Sequence, residues 1–122
     1  MPFVAANPQR YAGQVVGDGQ CVAYVRAAAD APHTSAWRRG AKVRRADVAP
    51  NTAIATFHGD RYANATDGSS HAAILLEETE AGLRCLDQWL GRAVTERMIR
   101  FKGGDGLPCD DGDAYCVIEV AT

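Results

Sequence analysis

Apolar and polar positions along the chain change period once. From Cys21 the sequence reads CVAYVRAAAD, rich in alanine, the strongest helix former, with Cys21, Val25 and Ala28 at helical spacing and Val22 and Ala29 beside them. Pro32 disfavours helix in the residue ahead of it, so the spacing predicts a helix over 21–30 with Cys21 in its first turn. The twenty residues before it are punctuated by Pro and Gly and read as an irregular arm ending in VGDGQ. The stretch 34–50 is polar and locally basic and predicts a solvated loop, with at most a short helical turn around Trp37. Beyond it the period shortens to two. Strands are predicted over 52–57, 71–77, 83–89, 95–101 and 114–120. The second is almost wholly apolar, as a strand buried on both faces should be, and the turn 78–82 joins it to the third as a hairpin. The last alternates, with Ala114, Cys116, Ile118 and Val120 on one face and Tyr115, Val117 and Glu119 on the other. One helix followed by a run of strands predicts an α+β fold, the helix packed on a mainly antiparallel sheet of about five strands.

A length of 122 residues fits a single domain, 1–122, with one modest core. That core must be economical, because 22 alanines stand beside only 23 Val, Ile, Leu and Phe residues. A formal charge of -2 gives no electrostatic reason to expect a nucleic acid or an anionic membrane as partner. No run approaches the roughly 18 apolar residues needed to span a bilayer, and the first ten residues lack the charged and apolar regions of a Sec signal. Cys21, Cys85, Cys109 and Cys116 do not form paired C-x-x-C knuckles, so structural zinc is not expected. Cys109 and Cys116 flank a short turn, where a bridge closing the loop and a free core thiol at Cys116 are both consistent with the pattern.

Three reactive side chains fall where chemistry would want them. A thiol attacks as thiolate, and a helix N-terminus favours the anion through its dipole and unpaired N–H groups. Cys21 has that position, Gly17 and Gly19 let backbone approach a substrate, and the Cys21 N–H is free to hold a developing oxyanion. His71 opens the long apolar strand and can take the thiol proton. Strand parity puts Asp87 on the face of Leu83, Cys85 and Trp89, with Arg84 and Gln88 opposite. A carboxylate among apolar neighbours needs a partner, and His71 would gain from it a fixed tautomer and a counter-ion. The resulting candidates are Cys21 as nucleophile, His71 as base and acid, and Asp87 as orienting group.

The stretches GDGQCVAYV at 17–25, HAAILL at 71–76 and LDQW at 86–89 resemble the papain-like NlpC and CHAP cysteine amidases. Those families carry Cys at a helix N-terminus, His at a strand start and a polar third residue on the next strand, and the likeness runs through nearly the whole chain. Within them the sequence is most similar to the type VI secretion amidase effector family 2 group and its domesticated relatives. The resemblance implies hydrolysis of an amide bond in the stems or cross-links of bacterial peptidoglycan, with no metal or organic cofactor. It further implies delivery without a Sec signal into the periplasm of a target bacterium, and a cognate immunity protein that occludes the cleft. Where many CHAP members have Glu or Asn as third residue, this chain has Asp87, which keeps an acceptor. Gly19, Gln20 and Trp89 are the expected oxyanion and substrate contacts; Gln14 competes with Gln20 as second oxyanion donor.

His33, which follows Pro32 in a loop, and His58, which ends the first strand without an acidic partner at defined spacing, are weaker candidates for the base. Tyr62, Trp37 and Trp89 fit either a substrate groove or packing anchors. Asp105, Asp110, Asp111 and Asp113 lack the alternating ligands of a calcium loop and read as a solvated turn. The competing functions are a housekeeping or phage-type wall hydrolase, which would carry a signal or wall-binding module, and an inactive binding domain of the same fold.

Overall fold

The computed structural model describes residues 1–121. The first helix, α1 (Cys21–Ala29), forms where the alanine-rich pattern predicts it and ends at Asp30 in a left-handed conformation, φ 55°. Its buried residues are Cys21, Tyr24, Val25 and Ala29. Tyr24, which the helical spacing did not single out, is fully buried because its hydroxyl donates to the Pro8 carbonyl at 3.0 Å.

Six strands follow: β1 (Trp37–Lys42), β2 (Ala53–Thr56), β3 (Ala72–Glu78), β4 (Gly82–Trp89), β5 (Arg92–Arg100) and β6 (Tyr115–Val120). They make one sheet in the order β1-β6-β2-β3-β4-β5, antiparallel at every pairing. The fold is thus α+β as expected, with six strands where about five were expected. The additional one is β1, in the stretch predicted to be loop. A short 3-10 turn, Thr34–Ala36, does precede Trp37. β1 has little apolar period because it is an edge strand held by backbone pairing to β6. Only Trp37 is buried, while Arg38, Arg39 and Lys42 carry the charge usual on an edge. Gly40 permits that pairing, since a Cβ there would lie 2.7 Å from the Val117 carbonyl oxygen.

The sheet is buried on both faces. Toward α1, Ile74, Leu76, Leu86, Val94 and Ile118 pack with Tyr24, Val25 and Trp37. On the other face, Ile54, Leu75, Leu83, Cys85, Ile99, Tyr115 and Val117 pack under Val43, Val48 and Phe101. The N-terminal arm runs along the structure as irregular backbone. Val4 bridges to Thr52, and the Gly13 N–H and Gln14 carbonyl bond Val94 in β5.

One alternative left open in the loops is settled and one expectation is corrected. Cys109 and Cys116 are free thiols, with no bridge between them. The acidic turn is built rather than solvated at its centre. Asp111 is buried and accepts from the Lys102, Gly104 and Asp113 N–H groups, and Asp113 pairs with Arg44 at 2.9 Å.

Candidate active site

Local backbone chemistry brings Cys21 to the start of α1. Gly17 and Gly19 both have positive φ, 57° and 86°, which closes the turn from Val16 to Gly19. Gln20 stands at the N-cap, its own N–H donating to Asp18 Oδ1 at 2.9 Å. His71 lies one residue ahead of β3 and is held by β2. Its N–H donates to Thr56 Oγ1, and its carbonyl accepts from the Thr56 N–H, both at 3.0 Å. Asp87 comes from β4 and is fully buried.

These three side chains meet at one end of the sheet. His71 Nε2 donates to Asp87 Oδ2 at 2.8 Å, which leaves the other ring nitrogen unengaged, and the imidazole and the Cys21 thiol lie near enough to shift each other's ionisation. The Tyr62 hydroxyl lies 3.7 Å from Cys21 Sγ. Burial opposes ionisation of the thiol, but the hydrogen bond and charge of His71, with help from the Ala72 N–H and Tyr62, hold it below the ordinary cysteine range. Burial likewise works against the imidazolium, yet the hydrogen bonds and charges of Asp87 and Cys21 push His71 up to about 9. For Asp87, burial is outweighed by His71 and Arg97, and its carboxyl lies below the usual range.

The sequence offered no sign of the partners of Asp87. Arg97 Nε donates to Oδ2 at 2.6 Å, and Arg92 Nη1 donates to Oδ1 at 2.9 Å. A buried carboxylate is tolerated here because both of its oxygens meet charged donors, three in all. Both guanidiniums also stack on Trp89, Arg92 at 4.1 Å and Arg97 at 5.3 Å from its ring centre. Trp89 meets the His71 ring edge-on at 6.2 Å. The arginines and their charge come from β5, ahead of the predicted strand start in the case of Arg92, and only the antiparallel pairing of β4 with β5 turns them toward Asp87.

Cys21, His71, Gln20, Tyr62 and Trp89 line a cleft of about 550 Å³. Ser70, also on its wall, has the only buried side-chain polar atom without a hydrogen-bond partner among the described residues, its Oγ. Gly19 is buried in the turn, against Val15 and Leu90, rather than on the cleft wall. Gln14 is not brought to the cleft; its side-chain amide donates to the Arg10 carbonyl. His33 caps Ser35 and His58 pairs with Arg61, both away from Cys21. Tyr62 packs on Trp37 with ring centres 4.9 Å apart, as an anchor would, and also reaches the cleft wall with its hydroxyl near the thiol. Among the described residues, no group of three or more His, Cys, Asp or Glu side chains is arranged to hold a metal ion. A larger groove of about 740 Å³, lined by Arg44, Arg45, Glu77 and Glu78, has no cysteine or histidine on its wall.

The family profile described as Domesticated amidase effector 2 matches residues 2–118. A curated protein of that name from Ixodes scapularis is 35% identical over 91 residues, covering 71% of this chain and 59% of its own length. The chain thus spans about three-fifths of that relative. A solved structure, Type 6 secretion amidase effector 2 (Tae2), overlays with a TM-score of 0.83 at 27% identity, covering 98% of this chain and 96% of the other. A profile match from one end of the described fold almost to the other, with a structural overlay of the same extent, shows that this papain-like chain belongs to the domesticated amidase effector 2 family.

Proposed function

We propose that the chain hydrolyses an amide bond in the peptide stems or cross-links of bacterial peptidoglycan, with Cys21 as nucleophile, His71 as general base and acid, and Asp87 as the orienting carboxylate. The observation that carries this reading is the buried relay itself. A thiol with lowered pKa at a helix N-terminus faces an imidazole fixed by a carboxylate, and the thiol and imidazole border an open cleft. Membership of an amidase effector family supplies the substrate class.

The thiolate attacks the scissile carbonyl carbon, and the carbonyl electron pair moves to oxygen, where the Cys21 N–H receives it. His71 then gives its proton to the leaving amine as the C–N bond breaks. A water that has lost its proton to His71 attacks the thioester, and the thiolate leaves. Gln20 and the Tyr62 hydroxyl, both on the cleft wall, are the candidates for second oxyanion donor, and Trp89 is a platform for the substrate beside His71. In this reading the protein is an antibacterial effector. It acts in the periplasm of a target cell and is neutralised in its producer by an immunity protein seated over the cleft. The likeness to a type 6 secretion effector supports that setting.

The deciding experiment incubates intact sacculi with the wild-type protein and with Cys21→Ala, and identifies released muropeptides by mass. Solubilised fragments from wild type alone are expected, and their masses identify the bond cut. Equal inactivity of both proteins would sink the hydrolase reading.

A further inference from the structure

Gln88 is the one neutral polar side chain of β4 that is completely buried, and it lies on the α1 side of the sheet, opposite Asp87. Its amide is fully employed. Oε1 accepts from the Val16 N–H at 2.9 Å, and Nε2 donates to the Val16 carbonyl and to the Gln20 carbonyl, both at 2.8 Å. The first two bonds imitate a strand partner for Val16, whose carbonyl also accepts from the Gly19 N–H at 3.0 Å. One side chain from the sheet therefore clamps both ends of the turn that delivers the nucleophile.

The third bond has a consequence for chemistry. The Gln20 carbonyl and the Cys21 N–H belong to one peptide unit, which is planar and trans, so they point in opposite directions. That carbonyl is held by Gln88 on the sheet side and by the Ala23 N–H, at 3.2 Å, on the helix side. With the carbonyl fixed, the Cys21 N–H is fixed too, directed off the helix end, where no group among the described residues accepts from it. A hydrogen bond to the carbonyl of an amide also strengthens its N–H as a donor.

We propose that Gln88 is a positioning residue for the oxyanion hole, orienting the Gln20–Cys21 peptide so that the Cys21 N–H meets the oxygen of a tetrahedral adduct. The proposal rests on the amidase reading for its natural substrate but not for its test. All three hydrogen bonds of Gln88 go to the backbone of Val16 and Gln20 and none to the thiol or the imidazole, so it should leave thiolate formation alone and act only where an oxyanion forms.

The test uses Gln88→Glu, which keeps size and an acceptor but loses both N–H donors, and Gln88→Met, which keeps only size, with folding checked by thermal melting. Two reactions of Cys21 are compared. Alkylation by iodoacetamide displaces iodide from carbon and forms no oxyanion. Addition to a peptide aldehyde forms an Sγ–C bond, sends the carbonyl pair to oxygen and creates the adduct the hole would bind. Both variants should lose about 30-fold or more in aldehyde affinity, and in kcat on a cross-linked muropeptide, with KM and alkylation rate within about threefold of wild type. Equal losses in alkylation and aldehyde binding would reduce Gln88 to a structural role and overturn the proposal, as would unchanged aldehyde affinity. A wild type that binds aldehyde but cuts no muropeptide would count against the substrate reading alone. Should neither variant fold, the wild-type protein still decides. Aldehyde addition is expected to shift the NMR signals of both the Cys21 N–H and the Gln88 amide, and an unmoved Gln88 amide would overturn the assignment.

Discussion

Asp87 is the residue on which most charge converges, with three donors from His71, Arg92 and Arg97 on two oxygens. Its carboxylate raises the affinity of His71 for a proton, so removing it should do more than slow turnover. Asp87→Ala is expected to lower kcat at least about tenfold, through loss of ring orientation. It should also move the alkaline limb of the pH–rate profile down from its wild-type position near pH 9, where the His71 imidazolium is lost. A variant with wild-type rate and an unmoved limb would return Asp87 to a structural role. The one cysteine of β4 makes a useful contrast. Cys85 is fully buried, and burial pushes up its thiol and those of Cys109 and Cys116, so alkylation at mildly acidic pH should report Cys21 ahead of all three.

At the scale of elements, the decisive unit is the turn leading into α1. Gly17 has φ 57°, and a Cβ there would lie 2.9 Å from that of Ala23 in the helix. Gly17→Ala therefore imposes both backbone strain and a contact with α1, and a loss of about 1–3 kcal/mol is expected in urea unfolding. Because the same turn is clamped by Gln88, activity should fall with it; unchanged stability would show that the turn has room to shift. The helix and the long strand were readable from periodicity because their apolar faces are wide and regular. β1 was not, because an edge strand is held by backbone pairing and only Trp37 among its side chains is buried. The acidic turn misled for a related reason. Asp111 is occupied by backbone N–H groups, and composition shows charge but not the donors that meet it.

For the whole molecule, the thiolate–imidazolium pair has a specific signature in stability. His71 is raised from 6.5 to about 9, so its contribution is complete below pH 6.5 and is lost as pH rises through about 9. Cys21 is lowered from 9.0, so its contribution is complete above that value and is lost as pH falls toward the folded pKa. Between the folded pKa of Cys21 and 9.0 its contribution grows with pH while that of His71 shrinks, so the two oppose each other. The melting temperature of wild type should therefore fall less steeply toward pH 9 than that of Cys21→Ala. Asp87, lowered from 3.8, contributes above that pH, so stability should fall on acidification below about 4. An equally steep fall in wild type and Cys21→Ala would contradict the ion pair. By itself the sequence determined the α+β class, the helix that begins at Cys21, and the candidates His71 and Asp87, because periodicity and local backbone preference act over a few residues. Only the tertiary structure decided that β4 pairs with β5 to bring Arg92 and Arg97 onto Asp87. It likewise decided that Gln88 reaches across to Val16, and that Tyr62 meets the thiol, because these contacts join residues 5 to 72 positions apart. They depend on which strands lie side by side, and no local pattern records that.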